Sequence, residues 1–109
     1  MMISVDEFIQ LYLEMARLAD AMLLAAQKEC WTDLLELDAK RTGLFEKIQA
    51  EDSLLDGMSD EPAQTIKRTI LHILEVDKQT MALSLGWMRE LTSIFASVEQ
   101  ERRLLNTYR

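Results

Sequence analysis

An all-α fold, an antiparallel bundle of three main helices with a long C-terminal helix, is what this sequence predicts, and three observations predict it. The chain is 49% hydrophobic and 28% charged, too apolar to stay disordered. It holds only three glycines and one proline, too few turn formers for an all-β fold. Its apolar residues recur at steps of three and four, the period of a helix with one buried face. With 109 residues it forms a single domain, residues 1–109, because one core of this size serves ~100 to 150 residues.

The first helix begins at a capping box. Ser4-Val5-Asp6-Glu7 places a hydroxyl where it can accept from the backbone N–H of Glu7, while the Glu7 carboxylate reaches back to that of Ser4. Beyond it Val5, Phe8, Tyr12, Met15, Ala19, Met22 and Ala26 follow one another at helical spacing, with Leu11, Leu18 and Ala25 alongside. The helix is expected to run to about Lys28, whose charge suits the negative helix end.

Glu29-Cys30-Trp31-Thr32 interrupts that pattern, and Thr32 is the expected cap of a second helix carrying Leu34, Leu35, Leu37, Leu44, Phe45 and Ile48. So short a link makes the two helices antiparallel neighbours. The second helix should stop near Leu55, since Asp56-Gly57 offers a left-handed cap and a polar turn follows. Pro62 then falls in the first turn of the third helix, where its missing N–H costs nothing.

From Pro62 to about Thr107 no stop signal occurs. Ile66, Ile70, Ile73, Trp87, Leu91, Ile94, Val98 and Leu105 form a heptad-like seam, and Leu71, Leu74, Met81, Leu85, Met88 and Phe95 a second stripe beside it. At ~1.5 Å per residue this helix would be about 68 Å long against about 36 Å for each of the others. Residues before Gly86 are expected to lie in the bundle core, antiparallel along helix 2. Those after it project beyond the cover of helices 1 and 2. A straight helix would leave Leu91, Ile94, Phe95 and Val98 wet at ~1.5 to 3 kcal/mol each, so a partner should cover them. Gly86 is read as a site of close backbone approach rather than a break, because glycine inside a helix costs only about 1 kcal/mol.

The chemistry of an enzyme is not signalled. His72 sits in an apolar context without a cysteine or carboxylate at metal-ligand spacing, Cys30 has no base assigned to it, and there is no phosphate loop or nucleophile elbow. His72 reads as a half-exposed helix residue and Cys30 as a boundary thiol; no catalytic, metal or cofactor site is expected. A net charge of −7 disfavours direct nucleic-acid binding, which needs Lys and Arg to release counterions. Neither a secretory signal nor ~20 consecutive apolar residues occur, so membrane insertion is not expected and a cytoplasmic location is. The single cysteine agrees with that compartment. Seven methionines suit an adaptable protein-binding surface as well as an ordinary core.

CWTDLLELDAKRTGLFEKI, a short polar turn and a last helix ending ELTSIFASVEQERRLLNTY resemble the FliT family of flagellar type III export chaperones. The likeness spans about Phe8 to Tyr108, on Trp31, Leu34, Leu35, Glu90, Leu91, Gln100, Leu105, Asn106 and Tyr108. It implies a non-enzymatic chaperone that binds the C-terminal region of the filament-cap protein and keeps it export-competent. It also implies contacts with the export ATPase complex and, in some bacteria, with the flagellar transcription regulator. The expected partner-binding residues are Leu85, Trp87, Met88, Leu91, Ile94, Phe95 and Val98, Trp87 being the anchor. An amphipathic helix held at i, i+3 and i+4 is the expected cargo mode. The competing reading is a structural homodimer or adaptor whose long helix is a permanent coiled-coil seam, closed by a two-fold contact.

Overall fold

The computed structural model describes the backbone of residues 3–107, and the side chains of residues 3–90 with Ser93, Gln100, Arg102 and Arg103. Three α-helices account for nearly all of it: α1 (Val5–Gln27), α2 (Trp31–Ala50) and α3 (Asp60–Thr107). Between α2 and α3 lies a single 3-10 turn, Asp52–Leu55.

Ser4 caps α1 as expected, its Oγ accepting from the Glu7 N–H at 3.1 Å. The return bond differs: the Ser4 hydroxyl donates to Glu7 Oε1 at 3.2 Å. The α1 terminus is a Schellman motif, in which Cys30 N–H donates to Ala25 O at 2.8 Å and Glu29 N–H to Ala26 O at 3.1 Å. Its left-handed residue is Glu29, at φ 58°.

Two boundaries depart from expectation. Thr32 is not the cap of α2; the helix starts at Trp31 with Cys30 before it, and no side chain supplies a capping bond. The Schellman turn reverses the chain two residues earlier than a threonine cap requires. Likewise α2 ends at Ala50, not near Leu55, and the chain tightens into the 3-10 turn before Gly57 takes the expected left-handed conformation at φ 74°. Pro62 does lie in the first turn of α3.

The arrangement follows from which faces are apolar. The predicted α1 face is buried at Phe8, Met15, Leu18, Ala19, Met22, Ala25 and Ala26. Both other helices pack on it, whereas α2 and α3 scarcely approach one another backbone to backbone among the described residues. The core is therefore a seam centred on α1, where Phe8, Met15 and Ala19 meet Ile48 of α2 and Ile66, Ile73 and Val76 of α3. These pairings make α2 antiparallel to both α1 and α3. The part of α3 before Gly86 does run antiparallel to α2, with Phe45 opposite Ile70 and Leu74, Arg41 bonded to Asp77 and Trp31 stacked on Trp87, but the close packing of both helices is against α1, the partner they share.

Helix α3 is continuous through Gly86 and has 48 residues, about 72 Å at 1.5 Å per residue, which matches the 73 Å length of the molecule. Among the described residues, nothing beyond the glycine's own helical neighbourhood lies within 4 Å of the Cβ position of Gly86. The expected close backbone approach there does not occur; the glycine faces open space.

Candidate protein-binding groove

The buried row of α3 is Ile66, Thr69, Ile73, Val76 and Thr80, alternating steps of three and four, and it continues through half-buried Ser84 and Trp87. Three of these are hydroxyl residues, and each satisfies itself against its own helix. Thr69 Oγ1 donates to Thr65 O at 2.8 Å, Thr80 Oγ1 to Val76 O at 3.1 Å, and Ser84 Oγ to Thr80 O at 2.9 Å. Small, internally satisfied side chains let α3 sit close on α1 without leaving an unmet polar group.

Each inward residue from Thr69 onward is followed by one turned about 100° around the helix. That neighbouring row reads Ile70, Leu74, Asp77, Met81, Leu85 and Met88, apolar at every position but one. It stands in solvent: Leu74 is 60% exposed and Met81 63%, with Ile70, Leu85, Met88 and nearby Leu71 exposed as well. Leu71, Leu74 and Met81 are thus not bundle core as expected. Thr69 and Thr80 take the places that composition alone would give to larger apolar residues.

Across from this row α2 presents Phe45, also exposed. Between them runs a trough floored by α1. One part, about 210 Å³, is lined by Tyr12, Met15, Phe45, Ile48, Ile70, Ile73 and Leu74. The next shares Met15, Phe45, Ile73 and Leu74 and extends past Asp38, Arg41, Thr42 and Asp77. Tyr12 packs edge-on against Phe8, ring centroids 5.3 Å apart, and burial, assisted by the charge of Asp52, holds its hydroxyl above the usual tyrosine range.

The one charge in the exposed row is neutralised in place. Arg41 of α2 reaches across to Asp77, donating from Nη1 to Oδ1 at 2.5 Å and from Nη2 to Oδ2 at 2.7 Å. Both side chains are about three-quarters shielded, and Nη1 also points at the Met22 sulfur at 3.9 Å. The hydrogen bonds to Asp77 raise the Arg41 pKa further above its ordinary value, against the opposing effect of burial. A bidentate guanidinium–carboxylate pair has fixed geometry, so it sets the spacing of α2 and α3 where no backbone contact does.

The expected binding residues divide into three groups. Leu85 and Met88 lie on the exposed row. Trp87 faces inward and stacks on Trp31, centroids 4.8 Å apart and planes at 27°, so one face of its ring is already occupied within the chain. The side chains of Leu91, Ile94, Phe95 and Val98 lie outside the described residues. Sequence reasoning had placed Ile70, Leu74, Met81 and Phe45 in the core; the available signal was the run of Thr69, Thr80 and Ser84 in register with Ile73.

Elsewhere, His72 Nε2 meets Asp20 Oδ1 at 2.8 Å on the exposed α1–α3 side, and exposed Cys30 directs its thiol to Lys28 O at 3.7 Å. Among the described residues no three His, Cys, Asp or Glu side chains converge as metal ligands, and no helix is long and apolar enough to cross a membrane.

A three-helix protein whose longest helix exposes an apolar row beside an open groove is built as a helical binding module. The chain belongs to the FliT family: the family model described as flagellar protein FliT matches residues 9–109. FliT is a family of flagellar export chaperones. No curated protein matches the chain, and no solved structure does.

Proposed function

We propose that this protein is a cytoplasmic type III export chaperone that holds the C-terminal region of the filament-cap protein in the α2–α3 groove and along the exposed row of α3. The observation that carries this reading is the row itself: Ile70, Leu74, Met81, Leu85 and Met88 are exposed side by side along the flank of the buried row Ile66, Thr69, Ile73, Val76 and Thr80. Burying such side chains is worth ~1.5 to 3 kcal/mol each, and a segment awaiting assembly as a helix offers the complementary face at i, i+3, i+4 and i+7. Methionines at two of these positions adapt to a partner without rigid complementarity. Membership of the family supports the choice of cargo, and contacts with the export ATPase complex and the flagellar transcription regulator follow as further partners of the same reading.

The test is calorimetric titration of the purified chain with the cap protein's C-terminal segment, for the wild type and for Leu74→Asp/Leu85→Asp. The double variant should bind at least about tenfold more weakly, the equivalent of 1.4 kcal/mol, with unchanged helical circular dichroism because both residues are exposed. Unchanged affinity would remove the groove from the binding site. Leu91→Asp/Phe95→Asp in the same assay reads the contribution of the distal part of α3. If sedimentation instead shows a dimer at every concentration and the substitutions unfold it, the row is a permanent subunit seam.

A further inference from the structure

We propose that the end of the bundle carries a second recognition site, a cleft that accepts an arginine side chain from a partner protein. It lies where the end of α1, the start of α2 and α3 meet, about 240 Å³ in volume, some 18 Å along α3 from Leu74 at 1.5 Å per residue. Ala82 and Gly86 are its small residues, and among the described residues no group from another part of the fold lies within 4 Å of the Gly86 Cβ position, which leaves room for a ligand there.

The walls and rim define the chemistry. Trp31 and Trp87, stacked on one another, are both only half-buried and line the cleft. Glu29 and Glu90 also line it, both exposed, and neither carboxylate is engaged in a hydrogen bond or ion pair among the described residues. Glu29 stands in the left-handed conformation, which costs a residue with a Cβ more than it costs glycine, so a carboxylate is presented where the backbone favours none. An indole is the strongest aromatic partner for a cation. Arginine alone combines a planar cation that stacks on a ring with a fork of donors for carboxylates. A leucine side chain would gain the ring contact and leave both carboxylates unused. The net charge of −7 draws basic partners toward the molecule.

Gly86 and Trp87 fall between Leu85 and Met88 of the exposed row in sequence but on a different face of α3, and the site is tested without the cargo. The chain has two tryptophans, so its two indole Nε1–H resonances report on the cleft directly. The probe is Nα-acetyl-arginine amide, compared with the lysine and leucine analogues. The arginine compound should shift both indole signals saturably and more tightly than either analogue. Glu29→Gln/Glu90→Gln should weaken it about tenfold, and Gly86→Ala should weaken it with helix content retained. Equal binding of the leucine analogue, unchanged binding by the double glutamine variant, or no saturable shift would each overturn the assignment. So would the same shifts appearing on concentrating the protein without probe, which would mark the cleft as filled by a second copy.

Discussion

Glu29 occupies a position that helices usually give to glycine. Its φ of 58° closes the α1 terminus, and the left-handed conformation costs a residue with a Cβ roughly 1 to 2 kcal/mol. Replacing it by glycine removes that cost and adds back part of it as unfolded-chain entropy. Glu29→Gly should therefore stabilise the protein by about 0.5 to 1 kcal/mol, read as a higher urea midpoint at unchanged slope, and it should bind the arginine probe less well. Unchanged or lower stability would show that the carboxylate supports the fold. Single residues also account for what was illegible. The capping box at Ser4 was readable because its partners are three residues apart; the Arg41–Asp77 pair joins residues 36 apart, and no local pattern distinguishes it from two solvated charges.

Helix α3 shows how far element-level reasoning reaches. Its continuity through Gly86 followed from the absence of any proline or polar cluster nearby. Its rotation did not follow, because two apolar stripes lie side by side and periodicity ranks them by residue size. Thr69 and Thr80 settle the rotation by bonding to their own helix and packing inward, which turns the larger Leu74 and Met81 out to water. Gly86 is the weak point of the element. With open space at its Cβ, Gly86→Ala should raise stability by about 1 kcal/mol, the propensity difference in a helix interior. Chemical denaturation measures it, and a loss of stability would mean that the glycine permits a bend the folded state uses. A stabilising change that weakens the adjacent cleft is the usual trade between stability and function.

At the scale of the molecule the governing quantity is length mismatch. A compact chain of this size would have a radius of gyration of ~13 Å; the Cα value is 20.4 Å. Small-angle scattering at a concentration where sedimentation reports a single chain should give a value near the latter. A value near the compact one would mean that α3 folds back in solution. Composition, capping signals and helical period determined three helices, their order and the excess length of the third, since each depends on residues a few positions apart. Only the tertiary structure decided that α1 is shared between two neighbours, that an ion pair and a tryptophan stack tie α2 to α3, and which stripe of α3 stays in water. Those depend on which of two similar faces buries more closely, a comparison between helices that no single stretch of chain contains.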